Sequence, residues 1–180
     1  KLYHSARKAQ AVYTEMGTLS AKAGALGILQ VAQAVAFAPT LPMVFQAPVQ
    51  GTPLELLLYP PKRTTTIAPP HAVAGIRQAG AALATLHQVE MSTDRERPVA
   101  DELVRFQQRS AQISTVNPTT GAALRDVANA LPAWLAHLPR WGAELSVVHG
   151  DCKPSQFFLA EDANGAPQVA LLDFDHCGIA

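Results

Sequence analysis

Between Leu26 and Val49 the chain is largely apolar, yet Gln30, Gln33, Pro39, Pro42, Gln46 and Pro48 interrupt it. That punctuation constrains the fold more than any other stretch. A membrane-spanning helix needs about 20 nearly uninterrupted apolar residues, so this segment is not a span. Proline removes a backbone donor and breaks a helix interior, so long helices are excluded as well. Two short strands remain, Ile28 to Phe37 and Leu41 to Phe45, followed by a connector rich in Pro and Gly from Gln46 to Pro53.

Helical patterning lies on both sides. Ser5 to Ala23 favours helix, with Val12, Met16 and Leu19 on one stripe, Tyr13 on its flank, and Gly24 and Gly27 as a stop. Leu54 to Leu58 predicts a short helical turn. Tyr59 to His71 holds Pro60, Pro61, Pro69 and Pro70 and predicts an exposed loop. Helix returns at Ala72 to Val89, with Ile76, Ala79, Leu83 and Leu86 on one face. Met91 to Pro98 reads as a charged loop, and Asp101 to Ile113 as a helix capped by Asp101. Asn117-Pro118 starts a helix that runs to about Leu131, where Pro132 kinks or restarts it; Trp134, Leu135 and Leu138 continue an apolar face.

Val147-Val148, Gln156 to Leu159 and Gln168 to Leu172 are the last extended pieces, with Asn164-Gly165 as a hairpin turn between the final two. The order predicts an α+β fold in two unequal parts divided near Gln46 to Gly51.

Composition narrows the function classes. With 48% hydrophobic and 16% charged residues a core can form. Lys+Arg 14 against Asp+Glu 14 gives no net charge, so neither a nucleic-acid nor a membrane-surface footprint is present. Two cysteines make neither a disulfide framework nor a four-cysteine zinc site, and a reducing, cytoplasmic setting is expected. No signal peptide is visible at the polar, basic start. The chain begins with Lys1 and stops just after a polar cluster, which reads as a piece of a longer protein.

That cluster is the informative segment. His149-Gly150-Asp151 follows the apolar pair Val147-Val148, Gln156 comes five residues after Asp151, and Asp173-Phe174-Asp175 follows the apolar run ending at Leu172. Charges at the ends of buried strands are costly unless paired, hydrogen-bonded or metal-bound. The hairpin brings the two strand ends together, placing Asp151, Gln156 and Asp173 around one pocket. All three offer oxygen, which suits Mg²⁺. Alone, an H-G-D or a D-x-D is more often a solvated turn, and a lone histidine more often a structural one; the ordered set on two strand ends is what carries weight.

The pattern H-G-D-x-x-x-x-Q, then a strand, a turn and L-L-D-F-D, resembles the aminoglycoside phosphotransferase-like branch of the protein-kinase-like fold. Ala79 to His87 is similar to that family's helix ending in L-A-x-L-H, Met43 to Ala47 to its inter-lobe strand, and Gly51 to Leu54 to its G-x-x-L continuation. The resemblance implies a two-lobe fold truncated at both ends. Residues 1–45 would form a partial N-terminal lobe, 46–53 the hinge, and 54–180 a partial, mostly helical C-terminal lobe carrying the catalytic hairpin.

It also implies an ATP-dependent transfer of phosphate to a small-molecule hydroxyl. Asp151 would be the base. Gln156, Asp173 and Asp175 would face Mg²⁺, Asp175 reaching a second metal or capping the turn. Lys1, held by Glu15, would meet the phosphates, the backbones of Gln46 and Ala47 would bond the adenine edge, and His149 and Gly150 would shape the loop. No nucleic-acid or membrane partner is implied, and the oligomeric state is left open. Gln156 stands where the family carries Asn. That departure leaves room for a catalytically degenerate nucleotide- or ligand-binding module. A haloacid-dehalogenase-type phosphatase shares the L-L-D-F-D pattern, but carries it near its N-terminus.

Overall fold

The computed structural model describes residues 1–59, 70–93, 95–137 and 146–180. The expected loop positions Pro60, Pro61 and Pro69, and Leu138 of the expected apolar face, lie outside the described residues. The chain divides into two units: Lys1–Asp94 with Ser146–Ile179, and Arg95–Leu145 with Ala180.

In the first unit, α1 (Ala6–Ala23) starts at Ser5, whose hydroxyl accepts the Lys8 N–H at 3.2 Å. Such a cap satisfies one of the free donors of the first turn. Ala9, Val12, Met16, Leu19 and Ala23 form the buried stripe, and Tyr13 on its flank meets Phe37. The apolar run after α1 proves to be two strands: β1 (Leu29–Val31) and β2 (Ala34–Ala38). Strand β2 pairs antiparallel with β3 (Met43–Gln46), whereas β1 leaves for another sheet. The expected single strand therefore serves two sheets, and the break falls at Ala32-Gln33, where the Gln33 carbonyl accepts the Ala47 N–H at 2.8 Å.

The larger sheet has the order β1-β7-β6-β4, with β4 (Thr52–Pro53), β6 (Phe157–Glu161) and β7 (Pro167–Leu171). β6 and β7 form the expected hairpin. At its turn the Asp162 carboxylate accepts the N–H groups of Asn164 and Ala166, each at 2.8 Å. β1 runs parallel to β7, with Leu29 opposite Val169. Helix α2 (Leu54–Leu58) follows β4 directly, and α3 (Pro70–Leu86) packs across β1, β6 and β7. Pro70, expected in the loop, is the first residue of α3, a position where its missing N–H costs no helix bond. A last pair, β5 (Val147–Val148) and β8 (Gly178–Ile179), is antiparallel. The core of this unit joins Val12, Met16 and Leu19 of α1 to Leu29, Val44, Leu86, Val169, Leu171 and Phe174, all fully buried. Burial on that scale, at roughly 25 cal/mol per Å² of apolar surface, is what holds the strand ends carrying the polar cluster in place.

The second unit is a helix pair, α4 (Val99–Val116) and α5 (Pro118–His137). Asp101 is not its cap: Pro98 precedes the helix, and Asp101 sits with Glu102 in the first turn, where a carboxylate still complements the free N–H groups. Asn117 does cap α5, its side-chain oxygen accepting the Thr120 N–H at 3.1 Å. Pro132 does not end α5, which is assigned as one helix through it to His137. No described helix is long and apolar enough to cross a membrane.

Candidate active site

The site is built where β5 ends and β7 ends. After Val148 the chain turns through His149 and Gly150. Gly150 has φ 79, a left-handed conformation that a Cβ resists, so glycine is required there. His149 is 2% exposed. Its Nε2 donates to the Leu172 carbonyl at 2.7 Å, and its Nδ1 accepts the Asp151 N–H at 3.4 Å. A carbonyl can only accept, so one neutral tautomer satisfies both bonds. The ring also lies against Phe174, with centroids 4.9 Å apart. His149 thus ties the loop of Asp151 to the strand end that carries Asp173.

Burial lowers the His149 pKa, opposed by the bond to Leu172 and by the Asp173 and Asp151 charges. The folded protein therefore binds this proton less readily than the unfolded chain. The stabilising contribution is complete above the ordinary value of 6.5 and declines as pH falls from there toward the folded value. Melting temperature measured from pH 7.5 to 5 falls with acid in the unmodified protein. His149→Gln is less stable at pH 7.5 but loses part of that slope; an unchanged slope would exclude His149 as its source.

Asp151 is half-buried, and Lys153 Nζ lies 2.5 Å from its Oδ2. That hydrogen bond and charge hold the Asp151 carboxyl below its ordinary range. Lys153 is a site residue that the sequence reading passed over, although it stands inside the motif, two residues after Asp151. Gln156, 6% exposed, closes the loop. Its Oε1 accepts the Lys153 N–H at 2.9 Å, and its amide helps to lower the pKa of the nearby Asp173 carboxyl. The longer side chain here caps the 3-10 turn Pro154–Gln156.

Asp173 has φ 68 and ψ 56, and among the described residues it alone has a positive φ without being glycine. That conformation costs roughly 1–2 kcal/mol for a residue with a Cβ. Strain of this kind persists where the surroundings over-determine it, commonly at functional turns. Lys1 Nζ lies 2.5 Å from Asp173 Oδ1 and 2.7 Å from Asp175 Oδ2. Burial pulls the Lys1 pKa down, but the two carboxylates together outweigh it and raise it. Burial pushes Asp173 up, and Lys1, Gln156 and His149 reverse this, leaving it below the ordinary value. The charge of Asp173 also opposes ionisation of Asp151, so the two carboxylates lie within electrostatic reach of each other.

Asp175 is engaged on every side. Tyr3 Oη donates to its Oδ1 at 2.9 Å, and Lys8 Nζ donates to its backbone carbonyl at 2.6 Å. Glu15 does not hold Lys1. It accepts the Thr93 hydroxyl at 3.2 Å and lines a groove with Arg7, Gln10 and Thr14. Gln46 ends β3 with its side-chain N–H directed at Met16 Sδ, 2.9 Å away. The Ala47 N–H is engaged by Gln33.

These residues make up one polar site in two groups, Lys1 with Asp173 and Asp175, and His149 with Asp151, Lys153 and Gln156, tied together through the Leu172 carbonyl; Glu15, Gln46 and Ala47 stand outside it. Its donors to a cation are oxygens alone. Among the described residues no group of three or more His, Cys, Asp or Glu could cage a metal. Mg²⁺ is usually held by one or two carboxylates together with phosphate oxygens and water, and Asp173 with Asp175 offers that number.

A family model described as the phosphotransferase enzyme family matches residues 1–180. No curated protein matches the chain. Among solved structures it is similar to a macrolide 2'-phosphotransferase type I, at 16% identity and a TM-score of 0.47. The match covers 99% of this chain and 57% of that one, so the chain spans little more than half of that structure's length.

Proposed function

Because the chain belongs to the phosphotransferase enzyme family, we propose that it transfers the γ-phosphate of ATP to a hydroxyl of a small molecule. The observation that supports this most is the coupling of Asp151 and Asp173 through His149, with Lys1 paired to Asp173. Phosphoryl transfer asks a protein mainly for positioning and for neutralisation of charge. Asp151 accepts the proton of the acceptor hydroxyl as the acceptor oxygen bonds the γ-phosphorus. The bond from that phosphorus to the bridging oxygen breaks, and ADP leaves with the electron pair. Lys153, beside Asp151, and Lys1, beside Asp173, supply positive charge for the phosphates.

Asp173 and the oxygen of Gln156 would hold Mg²⁺, which when bound neutralises phosphate charge. Gln156 Oε1 has a second lone pair beyond the one that meets Lys153. At the hinge, residues 46–53, the Ala47 carbonyl and the Val49 N–H have no hydrogen bond among the described residues, so they can meet an adenine edge. The lobes, residues 1–45 and 54–180, belong to the same proposal. So does a cytoplasmic location, where ATP is at hand and both free thiols stay reduced.

The engagement of Gln156 Oε1 by the Lys153 N–H favours a second reading, a nucleotide-binding module without turnover. MgATP tests both. A ligand that binds only the folded state stabilises it by RT ln(1 + [L]/Kd), about 2.7 kcal/mol at 100 times Kd. MgATP should therefore raise the melting temperature, and ATP with chelator should do so less. In a magnesium titration, Gln156→Leu should need more metal for the half-maximal shift, while Gln156→Asn is tolerated. No shift with MgATP contradicts both readings. A Gln156→Leu protein that titrates like the unmodified one removes Gln156 from the metal site.

A further inference from the structure

We propose that Asp175 is the positioning residue for Lys1, the role that the family resemblance gives to Glu15. The inference rests on the phosphotransferase reading and concerns how this chain holds its nucleotide lysine.

The geometry is specific. Asp175 follows the strained Asp173 by two residues, in the 3-10 turn Phe174–His176. Its side chain is 19% exposed. Oδ2 meets Lys1 at 2.7 Å, Oδ1 accepts from Tyr3 at 2.9 Å, and the backbone oxygen accepts from Lys8 at 2.6 Å. Three residues of the N-terminal segment thus converge on one residue of the Asp173 turn. Tyr3 is itself buried, so its hydroxyl is a fixed point and not a loose surface donor. Lys8 lies in the first turn of α1, so the contact also docks that helix on the turn.

A lysine ammonium carries three donors. Asp173 and Asp175 take two, leaving one to face a phosphate. Asp173 is also the carboxylate proposed for the metal, so its charge would be shared. Asp175 keeps Lys1 in register when Asp173 is occupied. Glu15 lies with Thr93 at a groove lined by Arg7, Gln10 and Thr14, whereas the carboxylates bonded to Lys1 are Asp173 and Asp175. Misplacing a charged group by about 1 Å can lower the rate by roughly 10², so the identity of the holder matters.

The test is calorimetric ATP binding, with magnesium and with chelator, for the unmodified protein and variants. Asp175→Asn keeps an acceptor for Tyr3 but removes the charge. It should raise the ATP Kd about tenfold in both conditions, and Asp175→Glu should recover part of the loss. Tyr3→Phe removes one hydroxyl from a packed ring and keeps the fold. It should raise Kd about threefold alone and add little on top of Asp175→Asn, as expected for residues acting through one contact. A purely structural role for Asp175 would lower the melting temperature without this metal-independent Kd change and without recovery by Glu. Unchanged Kd in Asp175→Asn and Tyr3→Phe, or a loss carried by Glu15→Gln instead, overturns the inference while leaving the phosphotransferase reading intact. Failure of the unmodified protein to bind ATP overturns that reading, and this inference with it.

Discussion

Asp151→Asn lowers kcat by about 10²–10⁴, the usual contribution of a positioned acid or base. The substitution keeps the shape and leaves an oxygen for Lys153, so the loop should stay folded. It removes the group that takes the proton. Because Lys153 holds the Asp151 carboxyl below its ordinary range, the base is ionised well below neutral pH, and the loss should appear at every pH from 6 upward. The KM for ATP should change little, since the proposed role of Asp151 is toward the acceptor. Steady-state kinetics with ATP varied separates the two constants, and near-normal kcat would take Asp151 out of the chemistry.

Gly51→Ala destabilises the fold by roughly 2–5 kcal/mol. Two costs add: about 1–2 kcal/mol for a Cβ at positive φ, and about 1–3 kcal/mol for overpacking. Gly51 has φ 121, and a Cβ there would stand 2.5 Å from the Leu159 carbonyl oxygen and 2.8 Å from its carbon. These are backbone atoms of β6, which cannot swing aside as a side-chain tip can. Gly165→Ala meets the first cost only, because φ is 77 but the space beside it is open. Urea denaturation should therefore rank Gly51→Ala well below Gly165→Ala. Equal losses would show that the contact with β6 relaxes.

The local parts of this fold were legible because local periodicity and turn chemistry specify them. Val12, Met16 and Leu19 recur at helical spacing, and they are the buried stripe of α1. Asn164-Gly165 marked the hairpin. Asp151 and Asp173 could be singled out because each ends a short apolar run, and His149 joins those two runs. The parallel pairing of β1 with β7 could not be read, since nothing in Leu29–Val31 announces a partner at Val169. Pro70 and Asp101 misled for a similar reason: residues that begin or cap helices fit several positions of the first turn.

The clamp on Asp175 was hidden for a geometric reason. Lys1, Tyr3 and Lys8 show no motif among themselves, and they meet Asp175 only after α1 and β7 have been packed over the core. The family resemblance makes Glu15 the helix partner of Lys1, but the carboxylates of the Asp173 turn take that lysine. Gln156 differs from the family's Asn by one methylene, and its oxygen is turned to the Lys153 N–H by the fold of its own loop.

The central claim is that this chain moves phosphate from ATP to a small-molecule alcohol through Asp151. Its most direct measurement is transfer of label from γ-labelled ATP, with magnesium, into the small-molecule fraction of a cell extract supplemented with aminoglycosides, macrolides, choline, homoserine and sugars. The expected result is a labelled small molecule whose formation requires magnesium and falls by about 10² or more in Asp151→Asn. Intact MgATP binding with no label in any small molecule, or equal labelling by Asp151→Asn, would contradict it.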